Sequence, residues 1–97
     1  MLGGPSTFKK VDMHYVYLLK DTNSEWIYIG CTSDLRKRLK EHKQGKTATT
    51  RKFSSIELVY YEAYKSAEDA KEREKKLKQY GNSLGILKKR ISRSMVK

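Results

Sequence analysis

Cysteine, proline and acidic residues are scarce in this 97-residue chain: one cysteine, one proline, and 11 Asp and Glu against 22 Lys and Arg. The lone Cys31 excludes an intrachain disulfide framework. The two histidines, His14 and His42, are too few for a zinc finger or a Cys/His cluster. No apolar run reaches the roughly 18–20 residues that span a bilayer, and Met1 to Asp12 shows no apolar stretch of the secretory kind. At this length one domain is expected, and such a chain buries about 60–65% of its unfolded surface, enough for one modest core. The expectation is a soluble, cytoplasmic, basic domain.

The chain does have positive charge, a net +11. An excess of that size favours a polyanionic partner, because each phosphate neutralised by Lys or Arg releases condensed counterions. Membrane-surface binding is disfavoured, since no segment pairs a basic face with a broad Trp/Phe/Leu face. A solvated cationic surface without chemistry is the plain alternative. The charge is clustered: Arg36, Lys37, Arg38 and Lys40 form one group, and Lys88, Lys89, Arg90, Arg93 and Lys97 close the chain with no acid among them.

Local patterning gives the order of elements. Residues 1–12 lack periodicity and read as a flexible extension, and Met13 opens the patterned region. Tyr15 to Leu19 reads as a strand, Asp21-Thr22-Asn23-Ser24 as a turn, and Trp26 to Ile29 as a second strand ended by Gly30, together a hairpin. Thr32 or Ser33 can cap a helix, with Asp34 in its first turn, that runs to Lys43 and stops before Gly45. Lys46 to Ser55 reads as a polar loop, and Ile56 to Tyr64 as a third strand. Ser66 caps a second helix running to Tyr80, with Asp69 at the third position, and a shorter helix runs from Leu84 to Ile91. The fold class is α/β, a small three-stranded, mostly antiparallel sheet flanked by helices in the order β-β-α-β-α-α. The domain spans residues 13–92, and 93–97 form a basic tail.

Three polar positions interrupt the helical stripes. Leu35 and Leu39 define the inward side of the first long helix, and Arg38 and His42 fall on or beside it. Glu74 projects between Ala70 and Leu77 on the second. A carboxylate facing a core is costly unless paired, hydrogen-bonded or bound to metal, and pairing with Lys71 or Lys78 would be the plain solution. Arg38 can likewise cover apolar surface with its stem while its head stays wet, and His42 fits a satisfied structural histidine. Strand alternation puts Tyr15, Tyr17 and Leu19 on one face, and Trp26 and Tyr28 on one face of the partner strand. Two tyrosines, an arginine and a glutamate would make a phosphate-cleaving set with one divalent ion.

Tyr15-Val16-Tyr17, then Tyr28-Ile29-Gly30 eleven residues beyond Tyr17, resembles the signature hairpin of the GIY-YIG nucleases. Cys31-Thr32-Ser33-Asp34-Leu35-Arg36-Lys37-Arg38-Leu39-Lys40-Glu41-His42 is similar to that family's first helix. Leu58-Val59-Tyr60-Tyr61-Glu62, with Ala70 and Arg73-Glu74-Lys75, resembles its third strand and acidic helix. The likeness covers Met13 to Ile91. It is nearest to the small stand-alone bacterial members related to the N-terminal domain of the excision-repair nuclease, which would place the chain in DNA repair. The resemblance implies a metal-dependent endonuclease on DNA with weak sequence preference. Tyr17 would be general base or water-orienting group, Tyr28 would lie near the scissile phosphate, and Arg38 would stabilise the phosphoryl oxygens. Glu74 would hold a single Mg²⁺ or Mn²⁺, and His42 would stand close to the nucleophile.

Departures from the pattern accompany the match. Tyr15 replaces the signature's first glycine, and Cys31 stands where the excision-repair branch carries lysine. Asn82 follows Glu74 closely and reads first as a helix cap. No second domain directs the nuclease, so targeting could fall to a protein partner. Nucleic-acid contact is assigned to Arg36, Lys37, Lys40, Lys88, Lys89 and Arg90, with DNA ahead of RNA. The alternatives are a non-catalytic or partner-dependent nucleic-acid-binding module of nuclease descent and a basic RNA-associated protein.

Overall fold

A computed structural model of the chain describes residues 11–47 and 55–96. Most of the expected N-terminal extension and most of the expected polar loop lie outside the described residues. The elements are β1 (His14–Asp21), β2 (Ile27–Thr32), α1 (Leu35–Lys43), β3 (Ile56–Tyr64), α2 (Ala67–Lys78) and α3 (Asn82–Arg90). The three strands form one sheet in the order β2-β1-β3, antiparallel throughout.

Alternation along the central strand divides the sheet into two faces. Val16 and Leu18 point to one side, where with Ile29 they meet Ala70 and Leu77 of α2 and Leu84 and Leu87 of α3 in the main core. Tyr15, Tyr17 and Leu19 point to the other. A register shift between Leu18 and Leu19 leaves Val59 without a partner on β1, so Leu18 pairs with Tyr60 and Leu19 with Leu58.

Several boundaries differ from the expectation, for local reasons. β2 continues through Gly30 to Thr32, because Gly30 pairs with Tyr17 and gives its missing side-chain space to the Tyr17 ring. The cap of α1 is Asp34, whose carboxylate accepts from Lys37 N at 3.1 Å; Thr32 Oγ1 instead accepts from Asp34 N. Ser66 caps α2 as expected, accepting from Asp69 N. That helix stops at Lys78, and Tyr80, not Gly81, takes the left-handed conformation, with φ 54°. A non-glycine residue there costs about 1–2 kcal/mol. Gly81 then occupies the cap position of α3, which makes Asn82 its first helical residue and not its cap.

Candidate active site

Tyr17 is the anchor of the polar group on the α1 side of the sheet. Its side chain is 1% exposed, and an ideal Cβ placed on Gly30 would lie 2.4 Å from both Cζ and Oη of its ring. Only glycine at position 30 leaves that room. The Tyr17 hydroxyl and His42 Nε2 share a hydrogen bond of 2.8 Å. On its other side His42 Nδ1 is hydrogen-bonded to Thr47 Oγ1 at 3.0 Å. Tyr28 completes an aromatic cluster, its ring centroid 5.1 Å from His42 and 6.1 Å from Tyr17, and Trp26 stacks on Tyr28 at 6.2 Å. Arg38, one turn before His42 on α1, lies close enough for its charge to act on the Tyr17 phenol, and it donates to Glu41 Oε1 at 3.1 Å.

These contacts fix the charge states. Burial pushes the Tyr17 phenol up to about 12, only partly opposed by Arg38, so Tyr17 is neutral at pH 7. Burial, then the Arg38 charge, hold His42 below its ordinary 6.5, so it too is neutral. The site therefore offers a cation, two phenols and an uncharged imidazole hydrogen-bonded to one of them. The Arg38–Glu41 pair is partly exposed, and such pairs are weak, so an arriving phosphate can compete for the guanidinium.

Glu74 lies elsewhere. Its helix, α2, packs on the Val16 and Leu18 face, so the sheet separates it from Arg38 and His42. Its carboxylate pairs with Lys78 Nζ at 3.0 Å, the plain solution that its spacing allows. The strand residue it influences is Cys31 on the edge strand β2, whose thiol is pushed up by burial and then by the Glu74 charge. No group of three His, Cys, Asp or Glu side chains suited to a metal occurs among the described residues. One carboxylate does fit Mg²⁺ chemistry, in which water and substrate phosphate supply most ligands.

The family model described as the GIY-YIG catalytic domain matches residues 13–90. The chain belongs to the GIY-YIG family. Relatives include the UPF0213 protein YazA of Bacillus subtilis, 36% identical over 86% of this chain and 87% of its own length. The UPF0213 protein of Haloquadratum walsbyi is 36% identical over 71% of this chain and 78% of its own. That of Clostridium perfringens is 41% identical over 64% and 67%. No solved structure matches. GIY-YIG nucleases generally use divalent metal ions, and the family implies nucleic-acid binding.

The GIY-YIG domain carries a second polar cluster that sequence patterning did not single out. Tyr60, Glu62 and Tyr64 alternate along β3 on the α2 side. Arg73 grips Glu62 through Nε at 3.0 and 3.1 Å and Nη2 at 2.9 Å, while Tyr60 donates to Glu62 at 2.7 Å and Tyr64 donates to its other oxygen. The alternation Tyr-x-Glu-x-Tyr was the available signal. Arg73 and Glu74, neighbours in sequence, thereby serve opposite edges of the sheet, Arg73 at β3 and Glu74 at β2.

This clamp has a pH signature. Burial alone would raise the Glu62 carboxyl, but bonds from Arg73, Tyr60 and Tyr64 outweigh it and hold it below its ordinary 4.5. The ionised clamp therefore adds stability at pH above 4.5, and that contribution is lost as pH falls through the depressed folded value. Denaturant melts at pH 7 should show Glu62→Gln destabilised by about 1–3 kcal/mol, with the gap to wild type narrowing towards pH 3. A constant gap would contradict the clamp. The GIY-YIG domain's predicted nucleic-acid contacts Arg36, Lys37, Lys40, Lys88, Lys89 and Arg90 are all exposed. They do not form one stripe, since Lys88 lines a groove with Lys20 and Met95 whereas Arg90 lines another with Arg73. No described helix is long and apolar enough to cross a membrane.

Proposed function

We propose that this chain is a metal-dependent endonuclease that hydrolyses phosphodiester bonds in DNA with weak sequence preference. The observation that carries the reading is the Tyr17–His42 hydrogen bond, with Arg38 one turn before His42 on the same helix. Arg38 and Tyr28, the more exposed members, meet the phosphate first. Arg38 suits it because its fork donates paired hydrogen bonds to the developing negative charge. Tyr17 sits behind them as a relay. Water attacking phosphorus gives its proton to the phenol oxygen as the phenol proton moves to His42 Nε2, and the new O–P bond replaces the one to the leaving oxygen. Glu74 is the carboxylate that would hold a divalent ion, which would supply positive charge to the substrate phosphate.

The test is cleavage of branched, nicked and single-stranded DNA in Mg²⁺ or Mn²⁺. Chelation is expected to stop the reaction and added metal to restore it; cleavage indifferent to chelator would end the metal-dependent reading. Arg38→Lys keeps the charge but loses the fork, and is expected to lower single-turnover rates about tenfold, or ~1.4 kcal/mol. Unchanged rates would remove Arg38 from the chemistry.

The Glu74–Lys78 pair, set across the sheet from Arg38, favours one second reading: a partner-dependent or non-catalytic nucleic-acid-binding module of nuclease descent. Under it Arg38→Ala and Lys88→Ala weaken binding alike, metal changes nothing, and log K falls with log salt at about −0.9 per phosphate contact.

A further inference from the structure

Beside the Tyr17 cluster the α1 face of the sheet opens into a groove of about 330 Å³, lined by Tyr15, Tyr61, Leu35, Leu39, Arg36, Ser33 and Asp34, the last being the cap of α1. That volume is at the low end of the roughly 300–1,000 Å³ typical of small-ligand sites. Tyr61 is directly opposite Tyr17 in the β1–β3 register, yet Tyr17 is 1% exposed and Tyr61 is 52% exposed. Tyr15 meets Tyr61 edge-on, centroids 6.0 Å apart and planes at 64°. The large exposure of Tyr61 shows that this contact leaves much of its ring uncovered. Two leucines from α1 form an apolar wall, and the exposed Arg36 puts positive charge on the rim.

We infer that this groove is a nucleobase subsite, which takes one unpaired base stacked on Tyr61 while Arg36 binds a phosphate of the same strand. The occupant follows from the lining and the location. A bare aromatic ring accepts any base because every base has a π face. Arg36 on the rim suits an anionic backbone, the Asp34 carboxylate being already engaged with Lys37 N as the cap of α1, and the groove lies on the same face of the sheet as the Tyr17 cluster. Fully paired DNA buries its bases in the stack and cannot fill the groove without unstacking one, at a cost of a few kcal/mol. The inference rests on the nuclease reading for the identity of the strand as DNA, and it names the substrate class: DNA with an unpaired nucleotide next to the cut.

Binding separates the two ideas. Glu74→Gln protein, which should not cut, is titrated without metal against a continuous duplex and against the same duplex carrying one unpaired 2-aminopurine. Stacking is expected to quench the 2-aminopurine. Adding Tyr61→Ala is expected to weaken binding to the unpaired substrate about 5- to 150-fold, the equivalent of one stacked base. Binding to the continuous duplex should hardly change, and Tyr61→Phe should restore both affinity and quenching. Equal losses on both substrates, or no loss on either, would overturn the subsite while leaving the nuclease reading intact. Selective loss in a protein that cuts nothing with Mg²⁺ or Mn²⁺ would keep the subsite and end the nuclease reading.

Discussion

Glu74→Gln is expected to reduce Mg²⁺- or Mn²⁺-dependent cleavage by about 10²–10⁴-fold, the range that several kcal/mol of lost charge stabilisation gives. The protein should otherwise be unchanged. The Glu74 side chain is 22% exposed and its bond to Lys78 is an i,i+4 surface pair, worth about 0.3–0.5 kcal/mol. Glutamine has the same size and leaves no buried charge behind, so thermal stability hardly moves. The substitution carries its own reporter. The Glu74 charge helps to push the Cys31 thiol up, so thiol titration should show Cys31 ionising at lower pH in Glu74→Gln than in wild type. A downward Cys31 shift with undiminished cleavage would show that the carboxylate had been neutralised and was not needed, which would end its assigned role.

Gly30→Ala acts on fold and chemistry together. The new methyl would lie 2.4 Å from Cζ and Oη of Tyr17, far inside contact distance. Tyr17 cannot swing clear, because the rings of Tyr28 and His42 flank it. Overpacking of this kind costs about 1–3 kcal/mol, which for a domain of this size lowers Tm by about 4–20 °C. Displacement of the phenol by even 1 Å would also break its 2.8 Å bond to His42, and misplacement on that scale costs about 10²-fold in rate. Gly85→Ala is the control. Nothing lies within 4 Å of its Cβ position on α3, so alanine there should stabilise by about 0.5–1 kcal/mol through helix propensity. Paired melts and cleavage rates check both variants. Gly30→Ala with wild-type Tm and rate would show that the sheet can absorb the methyl.

The elements and the Tyr17 cluster were legible because periodicity and residue chemistry agree there. Leu35, Leu39 and His42 share a helical stripe, and Tyr17 and Tyr28 alternate with apolar residues on paired strands. Helix ends were less legible, since several capping residues competed at each. Asp34 prevailed over Thr32 and Ser33, and Tyr80 took the conformation that Gly81 would have accepted at lower cost. The relation of Glu74 to Arg38 was out of reach. Helical spacing identifies an inward-facing side chain but not which face of the sheet its helix covers, and α2 covers the far one. Thr47 and Glu62 were missed because their partners, His42 and Arg73, come from other elements.

The placement of β1 in the middle of the sheet has a consequence for how this domain can vary. Its odd-numbered residues face the tyrosine cluster and its even-numbered residues face the core. Inserting or deleting a single residue within the strand would exchange the two sets, driving tyrosines under α2 and leaving Val16 and Leu18 where phosphate should bind. The central strand can therefore be spelled differently but not rephased.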